Sequence, residues 1–126
     1  MTNNAKLLLT EACLLPPELP DSFTFRKVRE ILDGLKDTEE EKLREAIEAV
    51  ERLKIRGPLA ATIFVKHHLA GAHEAEIDRV DESEDGAQLA VLVYPEGEVP
   101  VQIEQLPQGI SAGRRVRYDP SAGQYQ

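Results

Sequence analysis

His67, His68 and His73 stand close together with Glu74 and Glu76 just behind them, and imidazoles beside carboxylates are the donor set of a zinc site. The spacing does not suit one. Adjacent residues on a helix project about 100° apart, so His67 and His68 cannot face one ion together. Neither a Cys pair nor two His four residues apart completes a set. These histidines read as solvated side chains near a helix end, and no metal is expected. The run Glu39, Glu40 and Glu41 could gather a cation, but no EF-hand spacing surrounds it and a helix start accounts for it.

Acid–base catalysis would require one of Asp81, Glu82, Glu84 or Asp85 to be buried with a displaced pKa; beside Gly86 they read as an exposed turn. Cys13 would need a positioned base to act as a nucleophile, and in its apolar run it reads as a buried thiol. Arg114, Arg115 and Arg117 are the dense cations of the C-terminal part. Arg115 and Arg117 share a strand face and could grip a carboxylate or phosphate, although pairing with acidic neighbours across a sheet is the simpler expectation. There is no glycine-rich phosphate loop, no GxSxG elbow and no metalloprotease motif. No catalytic residue, metal or cofactor is predicted.

The chain has 126 residues, 41% hydrophobic and 30% charged, which suits one ordinary domain or two small units sharing a core. Its net charge of −8 is unevenly placed: residues 1–71 hold 11 Lys/Arg against 12 Asp/Glu, and residues 72–126 hold 4 against 11. Phosphate backbones are bound by clustered cations, so nucleic acid is an unfavoured partner. The single cysteine cannot form an intramolecular disulfide, which suits a reducing compartment. The first residues lack the pattern of a signal peptide, and nowhere do about 18 to 20 apolar residues run together as a membrane span requires. A cytoplasmic location is expected.

The elements follow from periodicity. Asn4 can cap a helix over about 5–14, with Leu7, Leu8, Leu9 and Leu14 making it apolar almost all round and therefore in need of cover. Pro16, Pro17 and Pro20 then impose a linker. Phe25, Val28, Ile31, Leu32 and Leu35 predict a helix from about 24 to 35, behind the capping residues Ser22 and Thr24. Thr38 with Glu39 to Glu41 reads as a capping box for a helix to about Lys54, with core positions Leu43, Ile47, Val50 and Leu53 and a stop at Gly57. Pro58 opens a further helix that runs to Gly71. Short connections imply antiparallel packing, and an acidic middle helix does not suit a DNA-reading helix-turn-helix.

Near residue 74 the hydrophobic period changes from about 3.6 to 2. Ala75, Ile77 and Val80 mark a first strand, Leu89 to Tyr94 a second, Val99, Val101 and Ile103 a third, Arg114 to Tyr118 a fourth, and a short segment at Tyr125 a fifth. Asp85-Gly86 and Tyr94-Pro95-Glu96-Gly97 are turn signals, and Leu106-Pro107-Gln108-Gly109 with Gly113 suits a 3₁₀ turn. The prediction is an α+β chain: three to four antiparallel helices over residues 1–72, then a five-stranded antiparallel SH3-like or OB-like barrel over 73–126. The second strand is apolar on both faces, Leu89, Val91 and Val93 on one and Ala90, Leu92 and Tyr94 on the other. One face would fill the barrel, and the other would be covered by a helix or a partner.

Over about residues 74–120 the chain resembles a short bacterial and archaeal family catalogued as Domain of Unknown Function three thousand and six. The likeness rests on Asp78-Arg79 at the end of the first strand and on the Leu-Pro-x-Gly turn at 106–109 followed by Gly113. It implies a small β fold and no established reaction. The sequence therefore predicts a non-catalytic interaction or regulatory module that binds another protein or itself, with Arg79, Leu92, Tyr94, Arg114, Arg115 and Arg117 as the candidate binding residues. Nucleic-acid or nucleotide binding through the barrel, and inhibition by acidic imitation of nucleic acid, are the alternatives.

Overall fold

The computed structural model describes residues 4–82, 84–106 and 111–126. Four helices, α1 (Asn4–Glu11), α2 (Phe23–Gly34), α3 (Glu40–Leu53) and α4 (Pro58–Leu69), precede five strands, β1 (Glu74–Glu82), β2 (Gln88–Tyr94), β3 (Gly97–Gln102), β4 (Arg115–Asp119) and β5 (Gln124–Tyr125). A single 3₁₀ turn at Ile103–Gln105 follows β3. The chain is α+β. Among the described residues no helix is long and apolar enough to cross a membrane.

Ser22 caps α2, its hydroxyl accepting from the Phe25 amide at 3.2 Å. The expected capping box at Thr38 does not form: Glu39 takes the N-cap position of α3 and makes no side-chain cap bond. What remains of that signal is the charge of Glu40 and Glu41 in the first turn, where carboxylates meet the positive end of the helix. α4 has six consecutive buried residues, Ala60 to Val65, because α2, α3 and β3 all pack against it. Its buried Thr62 hydroxyl is satisfied by donating to the Pro58 carbonyl at 2.5 Å.

Three helices end in the same way, with a left-handed residue after which the next amide reaches back five residues. Leu14 N–H donates to Leu9 O, Ile55 N–H to Val50 O and Ala72 N–H to His67 O, each around a residue of positive φ: Cys13 (63°), Lys54 (57°) and Gly71 (76°). Only the last is glycine. The stop expected at Gly57 therefore moves to Lys54, and Gly57 instead precedes α4. α1 likewise ends at Glu11, short of 14, and Cys13 is exposed at the turn, not buried in a helix.

The strands form one antiparallel sheet in the order β3-β2-β1-β4-β5. It curls into a half-barrel, and among the described residues no ladder joins β3 to β5. Helices take the place of the missing wall. Ala75, Ile77, Ala90, Leu92, Tyr94, Val99, Val101, Val116, Tyr118 and Tyr125 share one buried cluster with all four helices. α4 crosses the β2–β3 turn so closely that a Cβ on Gly97 would lie 3.3 Å from Ile63 Cδ1. A closed barrel would have had to exclude this helix, and a two-residue β5 offers little pairing with which to close.

Ile103, expected in β3, belongs to the 3₁₀ turn, and the fourth strand begins at Arg115. Leu106 is buried, whereas Pro107, Gln108 and Gly109 of the Leu-Pro-x-Gly turn lie outside the described residues.

Candidate functional site

In β1 strict alternation from Ala75 and Ile77 would turn Arg79 toward the core. It does not, because the register shifts: Ile77 stands opposite Leu92, and Arg79 opposite Val91. Asp78 is the extra residue of a β-bulge, which sends Arg79 to the outer face and Val80 to the inner one. There the Arg79 guanidinium meets three carboxylates, Asp78 at 2.7 Å, Asp81 at 2.8 Å and Glu98 at 2.6 Å. Asp78-Arg79, which the family likeness places at the end of the first strand, thus sits in its middle.

The outer face of β2 carries Leu89, Val91 and Val93. Val91 is 3% exposed yet belongs to no helix-packed cluster. Its register partners Arg79 and Pro100 flank it on both sides, and an arginine stem and a proline ring over a valine account for that burial. The second apolar face, expected to need a helix or a partner, is covered at Val91 by its own sheet neighbours. Cover is incomplete at Val93, which is 43% exposed. At the opposite end of this strip lies a groove of about 430 Å³, lined by Leu89 and Pro100 together with the cations Lys54 and Arg56 and the carboxylates Glu84 and Asp85.

On the inner side the histidines are half-buried, not the solvated side chains expected. His67 Nε2 donates to Glu96 Oε1 at 2.7 Å, Lys66 pairs with the other carboxylate oxygen, and Lys27 Nζ donates to the Glu96 carbonyl at 3.4 Å. Burial opposes charge on Glu96, but the His67 and Lys66 hydrogen bonds outweigh it and hold the carboxyl at about 2. His68 lies against Phe64 (ring centroids 5.7 Å apart), His73 (5.1 Å) and Tyr118 (5.8 Å). Among the described residues its Nδ1 is buried without a hydrogen-bond partner.

Burial first, and then the neighbouring His73, push the His68 pKa below its usual 6.5, with Glu45 opposing them. The native state therefore favours neutral His68, while the unfolded chain takes up a proton near pH 6.5. This contribution to stability is present above pH 6.5 and is lost as the pH falls from there toward the native value. Glu96 adds a separate loss from about pH 4.5 down toward 2. Urea unfolding measured from pH 7 to 5 should show declining stability, and His68→Phe, which keeps the ring, should flatten the slope in that window. An unchanged slope would remove His68 as its source.

The residues predicted to bind are not brought together. Leu92 and Tyr94 belong to the helix-facing core, buried by the same register that exposes Val93. Arg79 is enclosed by carboxylates, Arg115 meets Glu74 at 3.5 Å across the β1–β4 ladder, and Arg117 stands opposite Glu74 in register. Arg114 lies just before β4. Among the described residues no group of three or more His, Cys, Asp and Glu side chains is placed to hold a metal ion. The sequence reading missed the Glu96–His67 pair and the place of Lys54 and Arg56 in the groove lining. A lone carboxylate between Pro95 and Gly97 was the available signal for the first. No protein-family model matches this chain, and neither a curated protein nor a solved structure is detectably similar to it.

Proposed function

We propose that this chain is a non-catalytic interaction module which binds protein through the outer face of its sheet. The observation that carries the reading is the outer face of β2, where Val93 is open at one end and Leu89 lines the groove beside Pro100 at the other. An apolar strip with a polar rim is the usual composition of a protein-binding patch. Arg79, Arg115 and Arg117 are interleaved with Glu74, Glu76, Asp78, Asp81 and Glu98, a mixed pattern that favours protein over nucleic acid and disfavours acidic imitation of nucleic acid.

An SH3-like or OB-like identity for the half-barrel belongs to this proposal, as does kinship with the unknown-function family, which brings no reaction with it. So does a cytoplasmic setting, which suits the exposed thiol of Cys13. A photo-crosslinking amino acid at Val93 should give adducts with another polypeptide in cells, and the same group at exposed Glu30 should give none. Equal yields from both positions, or none from Val93, would refute the assignment.

A further inference from the structure

A second groove, of about 320 Å³, lies where the packed helices α2 and α4 end, and Ile31, Leu35 and Leu69 give it an apolar lining. Gly34 lines it too. Neither conformation nor packing calls for a glycine there: its φ is not positive, so it makes no left-handed stop, and a Cβ built on it would meet nothing within 4 Å. Inside a helix, glycine is destabilising relative to alanine. What the missing side chain provides is room for another molecule to approach the backbone. We propose that this groove binds a small molecule with an apolar body and one amine group, at a site separate from the protein-binding sheet face and independent of that reading.

The lining holds one cation and one carboxylate, Lys66 and Glu30. Lys66 is already paired with Glu96, whereas Glu30 is exposed and enters no ion pair among the described residues. The uncompensated charge is therefore negative. Two helix dipoles add to it, because the lining residues come from the last turns of α2 and α4 and their first followers, where each helix presents its negative end. An ammonium group gains from Glu30 and from both helix ends, and it leaves the Lys66–Glu96 pair intact. A carboxylate would meet Glu30 and could reach Lys66 only by displacing Glu96. At roughly 30 Å³ for each water, the groove equals about ten waters, which suits a ligand at the small end of the range for such sites.

Amide NMR spectra of the full chain titrated with 4-phenylbutylamine should show saturable shifts centred on the last turns of α2 and α4, with Kd on the order of 1 mM. The acid with the same apolar body, 4-phenylbutanoate, should bind at least about tenfold more weakly. Gly34→Leu should fill the groove and weaken amine binding at least about tenfold, while its urea midpoint stays at or above that of wild type. Glu30→Gln, on an exposed helix position, should keep the fold and cut the preference for amine over acid at least about threefold. Shifts scattered over the whole surface, no saturation, or equal affinity for amine and acid would overturn the proposal. So would an unchanged preference in Glu30→Gln, or wild-type amine binding by Gly34→Leu. Unfolding of Gly34→Leu would overturn it as well, since the space beside Gly34 would then not be open.

Discussion

Deleting Glu76 should leave the chain unable to hold its native sheet, whereas deleting Asp78 should be tolerated. Asp78 is the extra residue of the bulge, so without it Ile77 still stands opposite Leu92, Arg79 opposite Val91 on the outer face and Val80 opposite Ala90. What is lost is one exposed ion pair, and urea titration should show a change of about 1 kcal/mol or less. Removing Glu76 shortens the strand on the other side of Ile77. With Arg79 still paired to Val91, Asp78 then takes the buried place of Ile77 opposite Leu92, and Ile77 turns outward opposite Val93. An unpaired charge in an apolar core costs several kcal/mol after relaxation, a large share of the roughly 5–15 kcal/mol that stabilises an ordinary domain. Circular dichroism should therefore show an unfolded or loosely packed chain for the Glu76 deletion alone. Equal losses from the two deletions would mean that Asp78 is not the residue the strand can spare.

Tyr118→Ala should be the most damaging single substitution in the seam between α4 and the sheet, at about 3–5 kcal/mol. The ring is 2% exposed and packs against Phe64 (5.6 Å), His68 (5.8 Å), His73 (6.3 Å) and Tyr125 (5.5 Å), so truncation opens a cavity shared by four rings from α4, the α4–β1 connection and β5. None can fill it without leaving its own packing. Tyr118→Phe retains the ring and loses only the hydroxyl that Arg52 approaches, a change of about 0.5–1.5 kcal/mol. Chemical denaturation of the two variants should separate them clearly. Similar losses would mean that the hydroxyl, not the ring, organises the seam.

Both predictions concern features that local pattern does not encode. Ala75, Ile77 and Val80 mark the strand, and the odd step from Ile77 to Val80 breaks the alternation without saying which residue between them is supernumerary. Only pairing with Leu92 and Val91 reveals the shift. Helix ends behaved likewise. Gly71 was legible as a stop because glycine enters the left-handed region without steric cost, but Cys13 and Lys54 adopt it under the pull of Leu14 and Ile55 toward the preceding turn. The prolines at 16, 17 and 20 suggested a later end for α1 than the one found. Clustering of His67, His68 and His73 was visible, yet their environment was not. Glu96 arrives from a turn 29 residues beyond His67, and Tyr118 from a strand further still.

By itself the sequence determined the order and type of the elements, including the change from helix to strand between Leu69 and Glu74, because hydrophobic periodicity acts over a few residues and each element must hide its own apolar side. Tertiary structure alone decided which face each strand turned inward, that helices and not a closing ladder complete the half-barrel, and that distant side chains meet at Glu96 and in the Lys54–Leu89–Pro100 groove. Those outcomes depend on which surfaces bury one another most completely, a competition among segments far apart in the chain.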